Sequence, residues 1–222
     1  MTIILSVIVF GSLSYYLTTI RIYDYFQKRD TIIEGVLVEE GFQISKISPI
    51  ITSNIPIENA ITNMIFEPLY RVKDDGTNEM VLADSIALST DRKTIDIILK
   101  QNILWSDGKS FDADDVIATF EVLKSLKDQN ASSIAVQEAN ISKINEYEVN
   151  IIFKNYSPTL FEELNFGILP KHILDEDNPQ NFLFHKINKL TPIGTGPFVY
   201  NSSDATGVKL TSNKYYREKV NF

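Results

Sequence analysis

The stretch that decides the fold is Leu104-Trp-Ser-Asp-Gly-Lys-Ser-Phe-Asp-Ala-Asp-Asp-Val116, where a turn precedes the start of a helix. Asp107-Gly108 is typical of a tight turn, because Gly tolerates a left-handed backbone. Asp112 is predicted to cap the helix, since its carboxylate accepts hydrogen bonds from first-turn N–H groups. Asp114 and Asp115 interact favourably with the helix dipole in that turn. The predicted buried face consists of Val116, Ile117, Phe120 and Leu123.

Short β-type runs lie on both sides of this helix. Apolar residues alternate with polar ones over 94–99, which predicts a half-buried strand. The run from Met80 to Leu88 is expected to lie in the same sheet. A further strand is expected at Val149, Ile151 and Phe153. The combination of strands and helices predicts a mixed α/β protein.

An amphipathic helix is predicted between two prolines. Pro56 suits a first helical turn, and Pro68 is a barrier to continuation. The β-branched run 31–38 predicts a first strand. Gly194-Thr-Gly-Pro-Phe198 is expected to be a tight irregular segment leading to a strand over 208–211. The apolar helix positions are Ile57, Ala60, Ile61, Met64 and Ile65.

The N-terminal segment has the length of a membrane span. Residues 1–20 carry no charge, and as a helix they would extend about 30 Å. The juxtamembrane segment 21–30 combines tyrosines with basic residues, as membrane boundaries often do. No basic segment precedes the apolar run and no small-residue cleavage site follows it, which argues against a cleaved signal peptide. We expect a transmembrane anchor, and orientation stays open because no residues precede it.

Composition excludes several classes of function. The 222 residues include 21 Lys+Arg and 29 Asp+Glu, a net charge of −8, which disfavours nucleic acid as a partner. The sequence has no Cys and two His, so disulfides, Cys-based zinc sites and thiol nucleophiles are excluded and a His-rich metal centre is disfavoured. No nucleophile elbow or phosphate-binding loop is present. We therefore expect no cofactor and no metal.

The residues with chemical potential in the central stretch have simpler structural explanations. The carboxylates at 107, 112, 114 and 115 could serve acid–base catalysis, but acids are expected at a turn and a helix start without any chemistry. Trp105 is expected to pack in the core rather than to stack on a ligand. His172 lacks a second ligand at suitable spacing and is expected to be structural. A hydrolase using Asp112 to Asp115 remains the enzymatic alternative.

The order of motifs along the chain resembles the family 5 extracellular solute-binding proteins. The central stretch is similar to that family's aromatic residue, Asp-Gly turn and Ala-Asp-Asp-Val helix start. Four more matches follow the family's order and extend the resemblance over about 31–222. They are Glu67-Pro-Leu-Tyr70, Val81-Leu-Ala-Asp84, Ile168-Leu-Pro-Lys-His-Ile-Leu174, and Pro192-Ile-Gly-Thr-Gly-Pro-Phe198 followed by Asn213-Lys-Tyr-Tyr216.

The resemblance implies a binding function and a two-part architecture. It implies a mixed-sheet lobe of the type II periplasmic-binding-protein kind with a small additional α+β subdomain. Residues 31–66 and 166–222 would form part of the first lobe, and 67–165 the inserted subdomain. Full receptors of this kind have two lobes, so we expect this chain to be a fragment whose second lobe is absent.

The expected function is that of the substrate-binding component of an ABC transporter, not an enzyme. The resemblance implies an extracytoplasmic protein that captures peptides or similar solutes and delivers them to ABC permease subunits. Gly41, Phe42 and Gln43 follow the first strand and face the cleft in similar proteins, so they are the predicted ligand contacts. The remaining alternative is an interaction domain without a ligand of its own.

Overall fold

A computed structural model describes residues 34–37, 44, 46–51, 53–73, 76–126, 134–155, 164–174, 191–204 and 207–218. Nine strands and four helices lie within these ranges. The strands are β1 (Glu34–Leu37), β2 (Tyr70–Val72), β3 (Asn78–Met80), β4 (Ala83–Leu88), β5 (Thr94–Leu99), β6 (Asn140–Asn145), β7 (Glu148–Ile152), β8 (Phe198–Asp204) and β9 (Gly207–Ser212). The helices are α1 (Pro56–Ile65), α2 (Ala113–Ser125), α3 (Ile134–Glu138) and α4 (Lys171–Leu174).

The largest sheet is antiparallel, with strand order β4-β5-β7-β6. Its inner strand β5 buries Ile95, Ile97 and Leu99, whereas Ile98 is 47% exposed on the other face. Helix α2 contacts β6 and β7, and its residues Val116, Phe120 and Leu123 are fully buried. The predicted pairing of the 80–88 run with the 94–99 strand is confirmed, because β4 and β5 are neighbours.

A second sheet joins the two ends of the described chain. It has the order β1-β9-β8, with Glu34 opposite Thr211 and Leu37 opposite Val208. The sequence indicated β9 but not β8, whose second half is Asn-Ser-Ser-Asp, a combination with low β-propensity. Strand β8 forms because its backbone pairs with β9, and a bulge near Tyr200 accommodates the polar half.

Helix α1 begins and ends where the sequence predicts, and its C-terminal end rests on the Gly194–Phe198 segment. Gly196 N donates to Ile65 O at 2.9 Å. A β-carbon at Gly194 would overlap that same carbonyl oxygen, and one at Gly196 would come within 2.5 Å of Met64 O. The two glycines therefore permit a backbone-to-backbone approach that no side chain allows.

The expected N-terminal span lies outside the part of the chain that the structure describes. Residues 1–30 contain both the predicted anchor and the predicted juxtamembrane segment. Within the described ranges, no helix combines the length and the apolar character needed to traverse a bilayer.

Replacing Gly194 by Ala is expected to lower the free energy of unfolding by more than about 3 kcal/mol, because a backbone carbonyl cannot move aside as a side chain can. Gly76→Ala is the matched control. Gly76 has φ +79°, and a β-carbon there would meet nothing within 4 Å, so only the backbone penalty of about 1 kcal/mol applies. Urea unfolding measures both, and equal losses would contradict the proposed contact.

Candidate functional site

The predicted ligand contacts Gly41, Phe42 and Gln43 lie outside the described residues. Strand β1 ends before them at Leu37, and the described chain resumes with Ile44 and residues 46–51. The assignment of a ligand contact to these three residues therefore stays a prediction.

The acids of the central stretch cap helix α2. Asp112 Oδ1 accepts from Asp114 N at 2.7 Å, and Asp115 Oδ2 accepts in return from Asp112 N at 3.0 Å. This reciprocal arrangement is a capping box, which pairs backbone donors at the start of a helix. The predicted cap is confirmed. Asp114 is partly exposed, and its carboxylate is 3.0 Å from Lys143 Nζ.

Asp115 has a second function in joining three parts of the chain. Besides the capping bond, its carboxylate accepts from Trp105 Nε1 at 3.1 Å and from Lys171 N at 2.8 Å. One turn later, Thr119 Oγ1 donates to Asp115 O and accepts from Leu169 N. Three N–H groups thus converge on one buried carboxylate. The bond to Lys171 spans 56 residues, so local sequence spacing contains no signal for it.

Burial decides the charge state of this carboxyl group. Asp115 is only 4% exposed, and burial raises its pKa to about 6, while the N–H groups of Lys171, Asp112 and Trp105 act in the opposite direction. With its oxygens directed at these donors, the carboxylate is not presented to a substrate. The arrangement therefore supports structure rather than acid–base catalysis.

Trp105 and His172 occupy the same junction. Trp105 is fully buried and packs edge-on against Phe111 with ring centroids 6.0 Å apart, which confirms its predicted core position. His172 Nε2 lies 2.8 Å from Asp107 Oδ2, and its ring packs against Trp105. The contact ties α4 to the Asp-Gly turn. No group of three or more potential metal ligands occurs among the residues that the structure describes.

A buried ion pair connects two other motifs that are far apart in sequence. Arg217 Nη1 and Nη2 donate to the two oxygens of Glu67 at 2.7 and 2.9 Å, and Glu67 is 3% exposed. Tyr216 lies beside the pair, and burial together with the charge of Glu67 raises the pKa of its phenol to about 12. Asn213 Nδ2 also donates to Gly196 O at 2.8 Å. Hydrogen bonds from Asn213 and Arg217 therefore hold both ends of the segment 213–217. Sequence analysis predicted neither contact.

A polar groove of about 410 Å³ opens between α1, β2 and residues 165–167. Its wall on α1 includes Asn63, and its wall on β2 includes Arg71. The volume falls within the range of small-molecule pockets, which is roughly 300–1,000 Å³. Sequence analysis did not indicate it, because its walls come from segments about 100 residues apart.

Residues 79–222 match the family model described as bacterial extracellular solute-binding proteins, family 5. The chain belongs to this family. The match begins in β3 and includes Trp105, Asp115 and Lys171, whose hydrogen bonds form the buried junction at the start of α2. Arg217 also lies within the match, whereas its partner Glu67 precedes it.

Related proteins show the same fold. The oligopeptide-binding protein AppA of Bacillus subtilis is 28% identical over 163 residues, which are 71% of this chain and 30% of that protein. Its structure, determined in complex with a nonapeptide, aligns with a TM-score of 0.71 at 27% identity over 80% of this chain and 36% of that chain. NikZ of Campylobacter jejuni, determined with Ni(L-His), aligns with a TM-score of 0.67 at 26% identity over 86% of this chain and 37% of that chain.

The aligned segments cover only part of these relatives. The chain spans 22% to 30% of the length of the curated relatives it matches first. The mixed α/β fold of the periplasmic-binding-protein kind is nevertheless evident from the alignments with the AppA and NikZ structures.

Replacing Asp115 by Asn is expected to change how stability depends on pH. In wild type the folded carboxyl keeps its proton up to about pH 6, whereas the unfolded one loses it near 3.8. The folded state therefore binds more protons between these values, so stability falls as pH rises through this window, by up to about 3 kcal/mol. The side-chain amide of the variant does not titrate.

Urea unfolding at pH 4 and pH 7 tests this expectation. The Asn variant should be less stable than wild type at pH 4, because both oxygens of a carboxyl group can accept hydrogen bonds even when it is protonated, whereas an amide nitrogen only donates. The difference should shrink toward pH 7. Asn213→Ala, which removes a buried hydrogen bond to Gly196 O but no titrating group, is the control and should show a constant difference. A gap for Asp115→Asn that stays constant or widens with pH would refute the raised pKa.

Proposed function

We propose that this chain is part of the solute-binding component of an ABC importer and that it captures peptides or similar small solutes outside the membrane. The observation that carries the proposal is the family match over residues 79–222. It is supported by the likeness to AppA, whose structure was determined with a bound nonapeptide. Peptides are favoured as cargo over metal chelates because AppA is a relative in both sequence and structure.

The proposed mechanism is binding rather than catalysis. The hydrolase alternative uses the acids from Asp112 to Asp115. Asp112 and Asp115 are engaged in capping and in the buried network, and Asp114 pairs with Lys143. A general acid or base must reach its substrate within hydrogen-bonding distance, and Asp115 is buried beneath its own donors. These contacts support a protein that binds its solute without breaking any bond in it.

We place the peptide contact at Gly41, Phe42 and Gln43, after the first strand. An extended peptide binds through main-chain hydrogen bonds for affinity and through side-chain pockets for selectivity. A glycine followed by an aromatic residue suits both, because glycine allows close backbone approach and the aromatic ring supplies apolar area. ABC permease subunits would then receive the solute from the loaded protein.

Sheet membership supports the proposed division into a lobe and an inserted subdomain. Strands β1, β8 and β9 belong to 31–66 and 166–222, whereas β2 to β7 and helix α2 belong to 67–165. No sheet in the described part of the chain mixes strands from the two units.

We further propose that residues 1–20 anchor the protein in the membrane, with residues 21–30 at the boundary. The uncharged run and the tyrosines and basic residues after it support this assignment. An extracytoplasmic binding protein tethered in this way would remain close to its permease.

The natural gene product that contains this sequence is expected to bind peptides saturably. Native mass spectrometry with a pool of synthetic nonapeptides should reveal retained species, and titration calorimetry should give their affinity. Phe42→Ala should weaken binding about tenfold or more, as expected for loss of an aromatic anchor.

Ile144→Ala is the matched apolar truncation, because Ile144 is 58% exposed on β6 and lies outside the proposed contact. It should leave the affinity unchanged. If the protein bound a nickel–histidine complex saturably and no peptide, the proposed cargo would change from peptides to metal chelates. Binding of neither class would overturn the proposed function.

The anchor is expected to keep the protein in the membrane fraction after alkaline carbonate washing. Val7→Arg combined with Ile8→Arg should release it, because each arginine at the centre of a span costs about 2.5–3.5 kcal/mol. Gln27→Arg, outside the uncharged run, is the control and should stay membrane-bound. Wild-type protein found in the wash would contradict the anchor.

A further inference from the structure

We propose that the groove between α1, β2 and residues 165–167 is a second solute site, which binds a small amide-containing carboxylate through Arg71. The described residues that line the groove belong to 48–72 and 165–167. The proposal is argued from these residues and not from the peptide contact proposed at Gly41, Phe42 and Gln43.

Charge gives the first reason. Arg71 is the only ionisable side chain among the described residues that line the groove. Among the described residues, the carboxylate paired with it belongs to Glu79, with Nη1 to Oε2 at 3.9 Å, which is longer than a hydrogen bond. Lys73 Nζ lies 3.8 Å from the other oxygen of Glu79, so two cations share one acid. The guanidinium thus retains donors for a second carboxylate.

The guanidinium group decides which ligand chemistry fits. Its planar fork of N–H donors matches a carboxylate with two parallel hydrogen bonds, a geometry that lysine does not offer. The chain has a net charge of −8, so its overall field does not attract anions. Saturable binding of a small anion would therefore report a local site rather than general adsorption.

The walls of the groove suit an amide next to that carboxylate. Asn63 and Asn165 both line the groove, are exposed, and offer amide donors and acceptors. Phe66 and Phe166 are buried at 2% and 8% exposure and form an apolar floor. A β-carbon on Gly167 would lie within 2.7 Å of both Phe66 Cβ and Pro49 Cβ, so the floor is closely packed and fixed.

The test uses the 222-residue chain and two probes that differ in one terminal group. N-acetyl-leucine carries a carboxylate, and N-acetyl-leucinamide replaces it with a neutral amide. Nuclear magnetic resonance titration should show saturable shifts at the backbone amides of Asn63, Arg71 and Phe166 with the acid. The neutral probe should bind at least tenfold more weakly.

Variants separate the site from general effects. Arg71→Gln should weaken binding of the acid at least tenfold, whereas Arg92→Gln, in the exposed turn between β4 and β5, should leave it unchanged. Glu79→Gln should tighten binding severalfold, because it removes the acid that competes for Arg71. An unfolded or loosened variant cannot produce such a gain.

The proposal is overturned if the acid causes no saturable shifts, if both probes bind equally, or if Arg71→Gln leaves the affinity unchanged. Loss of binding in Arg92→Gln equal to that in Arg71→Gln would also overturn it. Loss of nonapeptide binding in Phe42→Ala with retained binding of N-acetyl-leucine would show that the two sites are separate.

Discussion

The convergence of three N–H groups on the Asp115 carboxylate is the interaction on which most of the described structure depends. An unpaired carboxylate at this depth would be costly, and the three donors offset much of that cost. The same contacts determine where α2 starts, how Trp105 is oriented and where residues 169–171 cross the helix. Asp115 therefore both caps α2 and holds Trp105 and Lys171 against it.

Close approach of backbone to backbone provides the second constraint. The segment around Gly194 and Gly196 lies directly on the end of α1, and Asn213 holds that segment in place through Gly196 O. The Glu67–Arg217 pair then secures the residues that follow. These contacts join the three-stranded sheet to α1 and to the start of β2, so they connect the proposed lobe with the proposed inserted subdomain.

Because the motifs that identify the family form structural contacts, they say little about its ligand. The acids, the tryptophan and the glycines that recur in the family pattern are used in packing and capping here. Recognition of an extended solute depends on main-chain groups and on pocket shape, which many sequences can supply. Membership in the family therefore supports a binding function, while the choice of cargo depends on surfaces with weak sequence signatures.

Local sequence patterns by themselves determined the helices at 56–65 and 113–125, the cap at Asp112, the buried strand at 94–99 and the family. The helices, the cap and the strand each depend on residues within about one to three turns of each other, where spacing and side-chain chemistry act directly. The family follows from the order of several such local motifs along the chain. Strand β8 and the ion pair between Glu67 and Arg217 were beyond the reach of such patterns, as was the groove at Arg71. Only the tertiary structure decided these. The polar half of β8 becomes a strand through pairing with β9, whereas the ion pair and the groove bring together residues about 100 to 150 positions apart, a distance that no local pattern encodes.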